Sequence, residues 1–288
     1  MNDALKVMLD RYQCRSWEDY ENALKEMIQQ IALLGLWRSK FFEKAAFYGG
    51  SALRILYGLD RFSEDLDFSL LKRNTGFSLA EYTGAVEHEL RSFGFAVTVE
   101  KKIKSVETCI ESAFIKAGTI QNMLVIDTPR EVVGQVHKRK ELKVKFEVDV
   151  DPPPGFAVEA KFLFQPLPFS VNAYAPADLF AGKIQACLCR SWKNRVKGRD
   201  WYDLVWHVSR DIPVHLEHLE QRLRQSGDLE AGVFLTGADL ERMLLEKIGQ
   251  VDFDLARQDV KNFLKDPAPL SLWSKEYFQA VCAKIRCV

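Results

Sequence analysis

The sequence predicts a mixed α/β first half followed by a helical second half, and three patterns carry that reading. In Asp65-Leu-Asp-Phe-Ser-Leu70 apolar and polar residues alternate. In Val144-Lys-Phe-Glu-Val-Asp-Val150 they alternate again, which is the period of a strand with one buried face. From Ala175 onward apolar residues recur at threes and fours, the spacing of amphipathic helices. The change near residue 174 divides the chain into an α/β domain with N-terminal helices, residues 1–174, and a helical domain, residues 175–288.

Trp17 to about Lys44 carries a helical stripe of Tyr20, Leu24, Met27, Ile28, Ile31 and Leu34, with Gly35 expected to split it into two helices. A short apolar run then breaks at Gly49-Gly50, and Ser51 is the expected N-cap of a helix through Ala52, Leu53 and Leu56. A turn at Gly58-Leu-Asp60 leads to the first alternating strand, with Asp65 and Asp67 on one face. Ser78 or a neighbour caps a helix from Leu79 to Phe93 that Gly94 ends. Phe95–Glu100 and Thr108–Ile115 read as strands around Lys101, Lys102 and Lys104, whereas Thr119–Ile126 fits helix and strand equally. The second alternating strand stops at Pro152, Pro153 and Pro154, and Lys161–Phe169 offers a strand pair broken by Pro166 and Pro168.

Helices follow through Leu179, Ile184 and Leu188, and, beyond Gly198, through Trp201, Leu204 and Val205. Further helices fall at Leu216–Leu223, at Leu240–Ile248 after a cap near Thr236, at Asp252–Leu264 and at Leu272–Ile285.

Composition narrows the function classes. With 47% hydrophobic and 28% charged residues the chain has the make-up of an ordinary soluble protein. Its 40 basic residues balance 40 acidic ones, so any contact with nucleic acid must come from local patches. No apolar run reaches membrane-spanning length and no signal-peptide core is present, so a cytoplasmic location is expected. The six cysteines lack a framework spacing and are expected to be reduced thiols. His215 and His218 read as a surface pair on one helical face.

Three stretches carry chemistry. Free N–H groups at a helix N-terminus, reached through Gly49 and Gly50, form a phosphate cradle with Ser51. Asp65 and Asp67 beside it suit a Mg²⁺ ion held against a triphosphate. Glu147 and Asp149 share one face of the second strand. Lys183 lies off the apolar stripe of its helix, and Asp200 and Asp203 share a face at i, i+3. Arg190, Lys193, Arg195, Lys197 and Arg199 concentrate positive charge between them. Singly, these are an ordinary turn, solvated strand faces, a surface lysine and a solvated loop; their combination points to phosphate and metal chemistry.

Gly-Ser followed at a distance by Asp-x-Asp resembles the nucleotidyltransferase superfamily of the DNA polymerase β-like fold. The fuller wording, Gly49-Gly-Ser-Ala-Leu-Arg54 and Arg61-Phe-Ser-Glu-Asp-Leu-Asp-Phe68, looks more narrowly like the AbiEii/AbiGii toxins, which include the MenT type. Leu179-Phe-Ala-Gly-Lys183 and Lys197-Gly-Arg-Asp-Trp-Tyr-Asp-Leu204 are similar to the same family, and the likeness is specific over residues 45–210. Thirteen residues lie between Ser51 and Asp65, more than the general superfamily spacing and within what the toxin family tolerates.

The resemblance implies a polymerase β-like core sheet with flanking helices, completed by the helical domain. It implies NTP binding at Gly49, Gly50, Ser51, Arg54 and Lys183, and metal binding at Asp65 and Asp67. Glu147 is the third carboxylate, with Asp149 as the fallback on the same face. The family's required lysine carries over to Lys183 and its aspartate to Asp200 or Asp203, which one sequence does not separate. The expected protein is the Mg²⁺-dependent toxin of a toxin–antitoxin or phage-defence pair. A tRNA end is the acceptor and a winged-helix antitoxin the partner. Two rivals stand beside it, a small-molecule nucleotidyltransferase of the antibiotic-modifying kind and a non-catalytic module that binds a nucleotide or a partner protein.

Overall fold

The computed structural model describes residues 3–101, 109–190 and 196–288, which form two compact units. The first comprises Met1–Tyr57, Phe62–Pro152 and Glu159–Ala173; the second comprises Gly58–Arg61, Pro153–Val158 and Tyr174–Val288.

Alternating sequence becomes sheet in the first unit. Its helices are α1 (Asp3–Leu9), α2 (Trp17–Arg38), α3 (Gly49–Tyr57), α4 (Ala80–Ser92), α5 (Thr119–Val125) and the single turn α6 (Arg130–Val133). Its strands are β1 (Ala45–Tyr48), β2 (Leu66–Leu70), β3 (Val97–Lys101), β4 (Ile110–Gly118), β5 (Glu141–Asp149), β6 (Val158–Leu163) and β7 (Phe169–Tyr174). They join into one mixed sheet in the order β3-β4-β5-β2-β1-β7-β6. The β2–β5 and β1–β7 pairs are parallel, while β1–β2, β3–β4 and β4–β5 are antiparallel. This is the α/β fold class that the alternation predicts. The ambiguous stretch after Gly118 resolves to helix.

Burial explains why the two alternating strands hold their register. Leu66, Phe68, Phe146 and Val148 are fully buried. Phe68 meets Phe41, Phe47 and Phe146 at ring separations of 5.0, 5.1 and 5.0 Å. Aromatic contacts of this kind contribute about 0.5–1.5 kcal/mol each beyond their buried area. A one-residue slip would send these rings to the polar face, so packing on one face fixes the residues displayed on the other.

Gly35 does not split the first helix. α2 runs unbroken for 22 residues, started by a capping box between Ser16 and Asp19. The reason for a glycine is tertiary: a β-carbon at residue 35 would stand 3.0 Å from the Ala85 carbonyl oxygen and 3.1 Å from the Val86 α-carbon. Gly35 therefore lets α2 and α4 approach closely. Gly94 does end α4, at φ +90°, with the amide of Phe95 bonded back to Leu90. Of the basic residues between β3 and β4, Lys101 pairs with Glu111 at 2.9 Å, and Lys102 and Lys104 lie outside the described residues.

The second unit is helical: α7 (Pro176–Cys189), α8 (Gly198–Ser209), α9 (Leu216–Ser226), α10 (Gly237–Gln250), α11 (Phe253–Lys261) and α12 (Lys275–Cys282). Thr236 and Asp252 cap α10 and α11 through their side chains. Trp201 centres the core, meeting Phe253 at 5.4 Å and Phe278 at 5.2 Å. His218 is fully buried, its Nδ1 bonded to the Pro154 carbonyl at 3.0 Å, so the expected surface pair with His215 is half core. The six cysteines are free thiols. No described helix is long and apolar enough to cross a membrane.

At the start of α8, a β-carbon on Gly198 would overlap the carbonyl oxygen of Ala256 in α11. Gly198→Ala must push the two helices apart, and overpacking of this kind costs about 1–3 kcal/mol. The denaturation midpoint is expected to fall accordingly. An unchanged midpoint would mean that the two helices do not approach this closely.

Candidate active site

Strand pairing puts two carboxylates of the first unit, those of Asp67 and Glu147, side by side. Tyr48 pairs with Asp67 across β1–β2, and Asp67 pairs with Glu147 across β2–β5. Residues paired in register point to the same side of a sheet, so Asp67 and Glu147 are lateral neighbours. Asp149 is instead paired with Ser69, one step further along. Asp65 immediately precedes β2.

Glu147 and the backbone around Asp65 are fixed by their surroundings. Ser112 on β4, directly opposite Glu147, donates its hydroxyl to Glu147 Oε1 at 2.9 Å. Lys145 donates to the other oxygen of Glu147 at 2.5 Å. The backbone around Asp65 is tied at two points: Gln29 of α2 donates to the Ser63 carbonyl at 3.1 Å, and the Ser51 hydroxyl donates to the Asp65 carbonyl.

The glycine turn differs from the expectation of an N-cap at Ser51. α3 begins at Gly49, whose φ is +82°, so Ser51 sits inside the first turn and is fully buried. A β-carbon on Gly49 would stand 2.6 Å from Asp67 Oδ2. Only glycine meets both demands, a left-handed backbone and an approach this close to a carboxylate. The consequence is a helix N-terminus set against Asp67, where its free N–H groups favour negative charge. Arg54, further along α3, donates to Glu26 at 2.9 Å and lies over the Phe62 ring at 4.6 Å.

A separate charge cluster occupies the second unit. Asp203 on α8 is fully buried and receives both Nε and Nη2 of Arg61, at 2.6 and 2.7 Å. Lys183 of α7 reaches the same carboxylate at 2.8 Å. Asp200, one turn earlier, takes Arg190 at 2.5 Å and has Lys183 at 4.0 Å. Burial alone would raise the Asp203 pKa, but Arg61 first and Lys183 next outweigh it and hold the carboxyl well below its usual range. Arg61 belongs to the stretch that resembles the toxin family, but its pairing carries no local signal, because its partner lies 142 positions away. The nearby basic run is partly engaged: Arg190 binds Asp200, Arg199 stacks over Phe263 at 4.2 Å, and Lys193 and Arg195 lie outside the described residues. Lys197 is half-buried, and burial pulls its pKa down.

Comparison with known proteins matches these residues to a family. The model described as the nucleotidyl transferase AbiEii toxin of a type IV toxin–antitoxin system matches residues 31–283. Two solved structures align along most of the chain. One is a Helicobacter pylori protein proposed to be a nucleotidyltransferase, at 16% identity and TM-score 0.48, covering 90% of this chain and 92% of that one. Another is the Helicobacter pylori protein JHP933, at 16% identity and TM-score 0.46, covering 90% and 89%. No curated protein matches the sequence.

The charge cluster has a titratable neighbour. His207 is fully buried, stacked on Phe180 at 4.5 Å, and bonded through Nδ1 to the Asp203 carbonyl at 2.7 Å. Burial pushes its pKa from 6.5 down to about 4. A depressed pKa means that the unfolded chain takes the proton first, so the stabilisation is complete above pH 6.5 and is lost as pH falls toward 4. His207 alone should account for a loss of about 3 kcal/mol over that window. His218, also pushed down to about 4 by burial, adds to it in the same direction. Urea titrations from pH 7.5 to pH 4 should show the decline, and His207→Asn should flatten it to the His218 share. An identical slope in that variant would contradict the assignment.

Proposed function

The chain belongs to the AbiEii nucleotidyltransferase toxin family, and from that premise we propose a Mg²⁺-dependent enzyme that transfers a nucleoside monophosphate from an NTP to a tRNA end. Nucleotidyl transfer, an NTP substrate and an antitoxin counterpart follow from the family itself. The metal, the acceptor and the winged-helix class of the antitoxin go beyond what the family gives.

The observation that carries the metal assignment is the pairing of Asp67 with Glu147 beside the glycine-opened start of α3. Mg²⁺ is usually held by one or two carboxylates together with substrate phosphates, and seldom by a complete protein cage. The donors fit that habit. They are hard carboxylate oxygens, with Asp67 and Glu147 paired in register; among the described residues no group of three or more His, Cys, Asp or Glu is placed to hold an ion. Asp65 and Asp67 would hold the metal, with Glu147 as general base or third ligand, and the metal when bound would neutralise triphosphate charge and align the attack.

The protein's own contributions follow. The amides of Gly50 and Ser51, in the first turn of α3, receive the phosphates. The Ser51 hydroxyl, committed to the Asp65 carbonyl, instead fixes the loop that carries the first aspartate. Glu147 takes the proton of the attacking hydroxyl, and Ser112 keeps it oriented. The family resemblance assigns phosphate contact to Lys183, and within the second unit that lysine is held by Asp203. Of the two aspartates on α8, Asp203 is the positioning group for Lys183, since Arg61 and burial leave it no second geometry.

One observation favours a small-molecule acceptor. Arg190 and Arg199, two of the basic residues that would gather RNA phosphates, already have partners within the second unit.

Incubation with each labelled NTP, with and without total tRNA, tests both readings. Label is expected on RNA from the wild type and none from Asp67→Asn, which should still fold. Glu147→Gln should bind NTP without turnover, while Asp149→Asn stays active. Substantial transfer by Asp67→Asn would end the metal assignment. Transfer that never reaches RNA, with the NTP still consumed, would move the acceptor to a small molecule.

A further inference from the structure

Strand β6 is an edge of the sheet among the described strands, and its pattern is inverted for such a position. Its first, third and fifth residues, Val158, Ala160 and Phe162, are all exposed, Phe162 at 69%. Phe164 continues the row just beyond the strand at 70% exposure. The opposite row holds Glu159 and Lys161, which bind each other at 2.8 Å beside Tyr57, whose hydroxyl donates to Glu159 at 2.7 Å. Edge strands usually carry unpaired charge, especially lysine, that discourages another strand from adding on. Here the lysine is neutralised two residues away on its own strand.

We propose that β6 docks against β6 of a second copy of this chain, antiparallel and centred on Ala160. The sequence Val158-Glu-Ala-Lys-Phe162 is complementary to itself in that register alone. Ala160 faces Ala160, each Glu159 faces the Lys161 of the other copy, and each Val158 faces the other Phe162. Two opposite-charge pairs then form on one face and two Val–Phe pairs on the other, both favourable cross-strand combinations. A shift of the register by two residues places Glu159 opposite Glu159 or Lys161 opposite Lys161.

Backbone direction agrees. The Ala157 carbonyl accepts from the Ala175 amide, which turns residue 157 toward β7. By alternation the amides and carbonyls of Val158, Ala160 and Phe162 point outward, as a hydrogen-bonded pair centred on Ala160 requires. A two-fold axis through one residue is the isologous arrangement of most small homodimers.

Register-specific cross-linking tests the proposal on the full chain. Paired residues of this type have α-carbons about 5.5 Å apart, within disulfide range. Oxidised Ala160→Cys should therefore give a covalent dimer above the wild-type background from the native cysteines. Phe162→Cys, which faces residue 158 rather than itself, should not. In sedimentation velocity over a dilution series, Glu159→Lys should weaken self-association by about tenfold or more, since it sets lysine against lysine at both pairs. Adding Lys161→Glu should restore it. A monomer at every concentration, equal cross-linking at residues 160 and 162, or no recovery in the double variant would each overturn the proposal.

Discussion

The carboxylate of Asp67 stands where a side chain at residue 49 would have to begin. That one contact governs the chemistry available to the first unit. Tyr48 is paired with Asp67, so the residue that follows Tyr48 must turn away over that carboxylate before the chain can enter α3. Glycine makes the turn at φ +82° without strain, whereas another residue would meet both the left-handed penalty and a collision. The same turn aims a helix N-terminus at the place where β2 and β5 display their acids. The glycine-opened helix start and the carboxylate pair are therefore one construction, held from behind by Phe41, Phe47, Phe68 and Phe146.

The second unit answers a different constraint. Asp203 and Arg61 are both buried, and a buried ion pair often adds little net stability because desolvation opposes attraction. Its effect is geometric. With both oxygens of Asp203 taken by a forked guanidinium, the nearer of the two carboxylate partners of Lys183 is fixed in place. Losing Arg61 would leave a buried carboxylate undercompensated, which is why such networks fail when one member is removed.

Much of this was legible because strand alternation is a local signal. The rows containing Asp67 and Glu147 could be read without any knowledge of what each strand would meet. What escaped was whatever depends on distant partners. Glu147 and Asp149 are equivalent on their own strand, and only the β2–β5 register sets one beside Asp67 and the other beside Ser69. Gly35 looks like a helix breaker until α4 is packed against it. Ser51 has the chemistry of a cap, yet the preceding glycines already carry the helix. His218 falls on a face that looks polar, but Phe156 and Tyr174 close over it.

The central claim is that Gly49 keeps open the space in which Asp67 and its neighbours meet a metal-bound triphosphate. Calorimetric titration of Mg²⁺ with a non-hydrolysable NTP into Gly49→Ala tests it most directly. Gly84→Ala, where a β-carbon meets nothing within 4 Å, serves as the control. The account predicts that binding is lost in Gly49→Ala and unchanged in Gly84→Ala. Wild-type affinity in Gly49→Ala would contradict it.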